Sequence, residues 1–290
     1  MKTANKKNKG KKVIPLMILL LTILIICGIF LVYVYTQNYI NIEYIDKASG
    51  KVKSEDVTSV SPIIINNVVV GGVSDKGKWL SKDNLYDKAN IAKGTEIDMY
   101  NISGKLGTFE IHSVARDNEK NIIYAIPLKD LTDEEYIAVA SSEASILKRK
   151  MVKVENAEKD EKYVKKALGK YRLLNNTVKI NEVYEGYLDS EQKTRIISAT
   201  STGGNRWGVY SVVVFVRGNK AEIIKYSYVK NTESAIDWPV YSIKFACDLN
   251  NNDIYELIIQ EARETTMKYS ILEYKKDKYQ EVIGFEFKIK

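Results

Sequence analysis

The sequence predicts a mainly β protein of the α+β class that is held at a membrane by one N-terminal helix. An unbroken apolar run without a charged residue extends from Val13 to Tyr35. The chain is rich in tyrosine and isoleucine, which favour strands, and it has only 4 prolines. Beyond residue 177, one pattern of four short strands occurs twice. We therefore expect a transmembrane helix, a small all-β domain, an amphipathic helix and two four-stranded antiparallel, blade-like repeats.

The apolar run at residues 13–35 has the length of a membrane-spanning helix. At about 1.5 Å per residue it extends roughly 34 Å, and the hydrocarbon core of a bilayer is about 30 Å thick. A cleaved signal peptide has a shorter apolar core that ends in a small-x-small site, whereas this run ends in LVYVY. These features favour an uncleaved, single-pass anchor.

The charges on the two sides of the run predict its orientation. Residues 1–12 contain six lysines and no acid, and the first basic residue after the run is Lys47. Because lysine-rich flanks stay in the cytoplasm, we expect a basic tail on inner-leaflet lipids and an extracellular C-terminal domain. The formal net charge is +7, and subtracting the six tail lysines leaves about +1. The external part therefore lacks the charge that a nucleic-acid partner requires.

The segments between the anchor and residue 155 differ in periodicity. Residues 36–60 show no sustained period and are predicted to form a stalk or linker. Residues 61–155 contain β-branched runs separated by turn-like clusters such as SGKLG and RDNEKN, which predicts a small, barrel-like all-β domain. Within it, residues 131–150 (LTDEEYIAVASSEASILKRK) favour a short helical turn followed by a strand.

Residues 156–176 are predicted to form an amphipathic helix, because the apolar period changes to the spacing of a helix face. Lysines and acids occupy the opposite face, which we expect in solvent. The apolar face, which we expect against a sheet, consists of Tyr163, Val164, Ala167, Leu168 and Tyr171.

Residues 177–290 contain two copies of one pattern: strand, tight turn, strand, loop, strand, tight turn, strand. The copies are offset by about 59 residues, which is near the spacing of four-stranded propeller blades. Two blades cannot close a propeller. We therefore expect the two sheets to stack as a sandwich, or to be covered by the helix and the small β domain.

The first turn of the second copy has the spacing of a calcium loop. Side-chain oxygens stand at positions 1, 3, 5 and 9 of the loop, and a backbone carbonyl stands at position 7. An EF-hand is excluded, because position 12 is isoleucine instead of glutamate and a strand follows. The predicted Ca²⁺ ligands are Asp248, Asn250, Asn252, the carbonyl of Ile254, and Glu256.

With its flanking apolar strands, this loop resembles the calcium loops of FG-GAP/VCBS repeats, an integrin-like β-propeller family whose usual pattern is DxDxDGxxD/E. The resemblance covers residues 178–287 and implies a propeller-type repeat that holds Ca²⁺. Asn250 and Asn252 stand where the family has acids, and Asp253 stands where it has glycine. We therefore expect a weak structural site with a dissociation constant of about 10⁻⁴ to 10⁻³ M. The alternative is a metal-free turn whose Asx side chains cap their own backbone.

Other cofactor or catalytic chemistry has little support in the sequence. His112 and Cys247 are the only histidine and cysteine beyond the anchor, which excludes a zinc cluster. His112 lies in the alternating segment FEIHSVA, where we expect it on a strand surface. In the first copy, the turn that starts at Asp189 is one residue shorter and carries Lys193 among the ligand positions, so we expect no metal there. No catalytic residue is predicted.

Two functions stay open at this stage. The first is a membrane-anchored, extracytoplasmic protein that binds an envelope protein or a glycan of the bacterial cell envelope through loops on its repeats. The second is an envelope hydrolase that uses two carboxylates in a cleft between the two β domains. A cleft with two acids about 5 to 10 Å apart favours the hydrolase, and an aromatic surface favours the binding protein.

Overall fold

A computed structural model describes residues 40–46, 51–57, 60–85, 91–117, 122–127, 135–140, 149–155, 157–170, 177–189, 191–201, 209–229 and 238–289. The chain divides into two units, Met1–Ser59 and Val60–Lys290. The predicted basic tail and anchor lie outside the described residues. Within those residues, no helix has the length and apolar character needed to cross a membrane.

The described residues of the first unit form an antiparallel hairpin. Strand β1 (Ile40–Asp46) pairs with β2 (Lys51–Val57), with Ile40 opposite Val57. The hairpin lies inside the segment predicted as a stalk. The sequence analysis missed it because β2 (KVKSEDV) has no regular alternation of polar and apolar residues, although the first five residues of β1 alternate.

The second unit begins with a six-stranded antiparallel barrel, which confirms the predicted barrel-like β domain. The hydrogen-bonded order is β3-β9-β6-β7-β8-β4, and pairing of β4 with β3 closes the barrel. A short strand, β5, adds to β4, and a four-residue helix, α1, follows it. The elements are β3 (Val60–Ile65), β4 (Val68–Ser74), β5 (Trp79–Ser81), α1 (Lys82–Leu85), β6 (Glu96–Asn101), β7 (Gly104–Asp117), β8 (Ile122–Pro127) and β9 (Ile137–Ala140).

Two local features shape the first hairpin of the barrel. Asn66 and Asn67 join β3 to β4 with φ angles of 46° and 69°, the left-handed conformation that a two-residue hairpin turn requires. Every residue of β4 is buried. A Cβ atom on Gly71 would lie 2.7 Å from the Leu80 carbonyl oxygen, so a glycine lets the neighbouring backbone approach.

The predicted amphipathic helix is present and shorter than the segment assigned to it. A short strand, β10 (Val152–Lys153), and a 3₁₀ turn (Glu158–Asp160) precede α2 (Glu161–Gly169). Three of the residues predicted for its apolar face are buried: Val164, Ala167 and Leu168. Tyr163 is half-buried against the same core, and Tyr171 lies outside the described residues.

Each predicted four-strand copy forms an antiparallel meander. In the first copy, the order is β11-β12-β13-β14, and β10 joins β11 to make a five-stranded sheet. In the second copy, the order is β15-β16-β17-β18. The strands are β11 (Val178–Tyr187), β12 (Lys193–Ser201), β13 (Val209–Arg217), β14 (Lys220–Val229), β15 (Val240–Cys247), β16 (Glu256–Ala262), β17 (Thr266–Lys275) and β18 (Lys278–Lys288).

Among the described residues of the second unit, three hydrophobic cores stack. The first joins α2 to one face of the five-stranded sheet. The second joins the other face of that sheet to the four-stranded sheet and contains Phe215 and Leu257. The third joins the four-stranded sheet to the barrel and contains Ile258 and Ile63. Because Leu257 and Ile258 are neighbours in β16, their alternation buries both faces of this sheet. The sheets thus stack and are also covered by the helix and the barrel.

Candidate metal centre and neighbouring cavities

The predicted calcium loop connects β15 to β16. Its first residue, Asp248, follows the end of β15, and Glu256 is the first residue of β16. Asn251 and Asp253 have φ angles of 58° and 62°. Asp253 therefore adopts the left-handed conformation that glycine takes at this position of the repeat pattern, and Asx side chains tolerate it.

Asp248 organises the backbone of the loop. It is only 2% exposed, and its Oδ1 and Oδ2 atoms accept hydrogen bonds from the backbone N–H groups of Asn252 and Asp253, both at 2.9 Å. The Oδ1 atom of Asn252 in turn accepts the N–H of Ile254 at 2.9 Å. The Asn252 bond is that of an Asx turn, and the two Asp248 bonds cap backbone N–H groups four and five residues along the chain. Each oxygen of Asp248 retains a lone pair that is available to a cation.

Glu256 is a buried carboxyl with one oxygen unpartnered. Its side chain is 0% exposed, Oε2 accepts the Leu249 N–H at 2.8 Å, and Oε1 is buried without a hydrogen-bond partner among the described residues. The pKa of Glu256 is raised to about 8, mainly by burial and in addition by nearby Asp248 and Glu273, while the hydrogen bond from the Leu249 N–H opposes the increase. In this arrangement, Glu256 is mainly protonated at neutral pH.

Glu273 joins the cluster from the neighbouring strand β17. It is 2% exposed, and its Oε1 atom accepts a hydrogen bond from Asn250 Nδ2 at 2.9 Å. Its Oε2 atom lies 2.6 Å from Lys275 Nζ. The Oδ1 atom of Asn250 is buried without a partner in the described part of the chain. Sequence reasoning missed Glu273, because it reaches the loop only through the register that pairs Leu257 with Leu272.

The structure therefore brings the four predicted side-chain ligands into one loop. Two of their oxygens, Asn250 Oδ1 and Glu256 Oε1, are buried and available to a cation. Across the described ranges, no group of three or more His, Cys, Asp and Glu side chains is arranged to hold a metal ion. A Ca²⁺ ion in this loop thus depends on amide and carbonyl oxygens beside Asp248 and Glu256, and it requires Glu256 to lose its proton.

The equivalent turn of the first copy holds a cationic side chain. Asp189 Oδ1 accepts the backbone N–H groups of Glu191 and Gln192 at 3.0 and 3.2 Å. Its Oδ2 atom pairs with Arg217 Nη2. This guanidinium neutralises the first acid of the turn.

One cavity, of about 370 Å³, lies between the two sheets; we call it the inter-sheet cavity. Arg217 lies 5.1 Å from the ring centroid of Tyr274 and 5.7 Å from that of Phe215. The Lys220 ammonium lies 3.0 Å from the Glu222 carboxylate. The lining residues are Gln192, Phe215, Arg217, Lys220, Glu222, Tyr274 and Asp277.

A second cavity, of about 360 Å³, lies where the β6–β7 turn of the barrel meets the segment before β10; we call it the barrel-side cavity. Arg149 links it to the calcium-type loop, because its Nη1 atom donates to the Asp253 carbonyl at 3.0 Å. The Arg149 guanidinium also lies 5.4 Å from the ring centroid of Tyr255. The lining residues are Tyr100, Ile102, Ser103, Gly104, Lys105, Arg149 and Lys150.

The sequence analysis also considered His112 and Cys247, which lie in ordinary structural positions. His112 is exposed on β7, as expected of a strand-surface histidine. Cys247 is a free thiol with 1% exposure. Its burial raises the pKa of the thiol well above the ordinary value, so the reactive thiolate is disfavoured.

No protein-family model matches this chain, and the comparisons with curated proteins and with solved structures find no match. The resemblance to FG-GAP/VCBS repeats therefore depends on the strand pattern and on the spacing of the loop residues.

Proposed function

We propose that this chain is a membrane-anchored, extracytoplasmic binding protein of the bacterial cell envelope. The observation that supports this most strongly is the uncharged apolar run at residues 13–35 with six lysines on one side only. In this proposal, the anchor crosses the cell membrane once, the lysine tail contacts inner-leaflet lipids, and residues 60–290 lie outside the cell. The partner is an envelope protein or a glycan, and nucleic acid is not a partner.

The cavities support binding more than catalysis. Aromatic rings and a guanidinium line the inter-sheet cavity, a combination typical of recognition surfaces. Glu222 and Asp277 line this cavity too and are the carboxylates that the alternative function, an envelope hydrolase, requires. Glu222 is engaged by Lys220, however. The barrel-side cavity, which lies between the two β domains, is lined by basic side chains and by no acid in the described part of the chain.

Binding to the cell envelope is tested by co-sedimentation. The full chain in detergent micelles is mixed with purified cell-wall sacculi or with envelope vesicles, and the bound fraction is measured after centrifugation. We expect saturable binding to one fraction, which added salt weakens only in part. Absence of saturable binding to every envelope fraction would overturn the proposed function, and hydrolysis of wall material in the same assay would favour the alternative.

We further propose that the two sheets are degenerate FG-GAP/VCBS-type repeats and that the second one holds a weak, structural Ca²⁺. The proposed ligands are Asp248, Asn250, Asn252, the carbonyl of Ile254, and Glu256. The buried, unpartnered oxygens of Asn250 and Glu256 support this proposal, because a bound cation supplies the partner that they lack. The left-handed conformation of Asp253 supports it as well.

Calcium binding is tested by the thermal midpoint of the full chain, titrated with Ca²⁺ into the millimolar range. We expect the midpoint to rise in the wild type and to stay constant in Asp248→Ala. Asp277→Ala, which removes an acid from a different turn, serves as the control and should retain the rise. A flat midpoint in the wild type would leave the loop as a metal-free Asx turn.

A further inference from the structure

The barrel-side cavity has an excess of positive charge. Three of its lining side chains are basic, and among the described residues no acid lines it. Lys105 Nζ lies 2.7 Å from Asp98 Oδ1, and this buried carboxylate compensates one of the three charges. Within the part of the chain that the structure describes, Arg149 and Lys150 form no salt bridge. Among the described residues, about two positive charges are therefore uncompensated at the cavity wall.

Arg149 is held in place before any ligand arrives. Its Nη1 atom donates to the Asp253 carbonyl, and its guanidinium lies over the Tyr255 ring. Its own backbone carbonyl accepts a hydrogen bond from the Tyr255 hydroxyl at 3.2 Å. The bond to Asp253 uses one of the five N–H donors of the guanidinium, so donors in the planar fork are left for an oxyanion.

The base of the cavity combines apolar side chains with a rigid turn. Tyr100 is 2% exposed and belongs to the core between barrel and sheet, and Ile102 packs against the core between the two sheets. The backbone N–H groups of Ser103 and Gly104 donate to Asn101 Oδ1 at 2.9 and 3.0 Å. These bonds hold the turn in shape. A volume of about 360 Å³ is in the range of small-ligand sites.

We propose that the barrel-side cavity binds the phosphate group of a small phosphorylated ligand, such as a sugar phosphate or a polyol phosphate. A phosphate monoester carries close to two negative charges at neutral pH, which matches the two uncompensated cations. Its oxygens fit the planar fork of Arg149, and the carbon part of the ligand covers the partly exposed Ile102. The inference rests on the proposed binding function and names the ligand class of this cavity.

The inter-sheet cavity is a weaker candidate for an anion because its charges are balanced. Arg217 is paired with Asp189, and Lys220 is paired with Glu222. Asp277 adds a further negative charge to the lining. Its cations are therefore already neutralised by neighbouring carboxylates.

Titration calorimetry on the full chain in detergent micelles tests the ligand class. The probes are glucose 6-phosphate, inorganic phosphate, glucuronate and glucose. We expect glucose 6-phosphate to bind several-fold more tightly than inorganic phosphate, because it also covers the apolar base, and glucose not to bind. Glucuronate that binds as tightly as glucose 6-phosphate would overturn the phosphate assignment. Absence of heat from both phosphate probes up to about 10 mM would overturn the site.

Three variants locate the binding to the cavity. Lys150→Gln removes one exposed cation and should weaken glucose 6-phosphate binding about tenfold, with an unchanged thermal midpoint. Arg149→Lys keeps the charge, loses the planar fork and should weaken binding by a similar factor. Lys153→Gln makes the same charge change three residues away, outside the lining, and is the matched control. Equal weakening by Lys150→Gln and Lys153→Gln would show general charge attraction and overturn the site.

The two proposals fail separately. If co-sedimentation with an envelope fraction persists while no phosphate probe binds, the phosphate inference is wrong and the binding function stands. If phosphate probes bind and no envelope fraction does, the cavity assignment stands and the envelope function is wrong.

Discussion

The buried carboxyl of Glu256 makes the stability of the calcium-free protein depend on pH. An unfolded glutamate titrates near 4.5, whereas the pKa of folded Glu256 is about 8. Between these two values, the folded state holds one more proton than the unfolded state, so the free energy of unfolding falls as the pH rises. The contribution is fully present below pH 4.5 and is lost as the pH rises through 8.

The size of this effect follows from the two pKa values. At about 1.4 kcal/mol per pH unit, the change from 4.5 to about 8 corresponds to roughly 5 kcal/mol. About 3 kcal/mol of it falls between pH 6 and pH 9. Glu256→Gln keeps the oxygen that accepts the Leu249 N–H and has no proton to lose. The variant should therefore gain about 3 kcal/mol relative to the wild type between these two pH values.

Urea unfolding of the full chain in detergent and EDTA, followed by tryptophan fluorescence, measures this difference. Wild type and Glu256→Gln are compared at pH 6 and at pH 9. Subtracting their free energies of unfolding cancels the contributions of all groups that titrate in both proteins. Glu286→Gln, an exposed residue of β18, is the matched control and should shift by less than about 0.5 kcal/mol. If the difference between wild type and Glu256→Gln is the same at both pH values, the reasoning about Glu256 is wrong.

Three further changes test the packing by chemical unfolding. Leu168→Ala removes a buried side chain of α2 and should reduce the free energy of unfolding by about 2–5 kcal/mol, whereas an unchanged value would place the helix off the sheet. Gly71→Ala places a Cβ atom against the Leu80 carbonyl and should reduce it by about 1–3 kcal/mol; a neutral result would contradict this close approach. Asn67→Ala should reduce it by about 1–2 kcal/mol, and Asn67→Gly by less, because only glycine keeps the positive φ without strain. An equal loss in both Asn67 variants would assign the effect to the hydrogen bond with Tyr136 instead.

The sheets were predictable because their signal is local. Each strand of the two copies has its own run of β-branched and aromatic residues, and tight turns such as RGNK and KKDK separate them. Asn66-Asn67 shows the limit of local reading. The β-branched runs of this region were recognisable, but the sequence analysis named no turn at the two asparagines, where the structure reverses between β3 and β4.

The site was predictable only as far as its residues are close in the sequence. Asp248, Asn252 and Glu256 meet because they share one short loop. Glu273 and Arg149 reach the same loop from β17 and from the segment before β10, and only the packing of sheets and barrel brings them there. Pairings over such separations depend on register and on layer order, which periodicity does not specify.

The orientation of the chain in the membrane is the central claim, and cysteine labelling in intact bacterial cells tests it most directly. The chain has 2 cysteines, Cys27 inside the apolar run and Cys247, which is buried, so background labelling is low. Lys220, with a side chain 62% exposed, and Lys7 are replaced one at a time by cysteine. We expect a membrane-impermeant maleimide to label Lys220→Cys in intact cells and Lys7→Cys only after permeabilisation. Labelling of Lys220→Cys only after permeabilisation would contradict an extracellular domain and the proposed function with it.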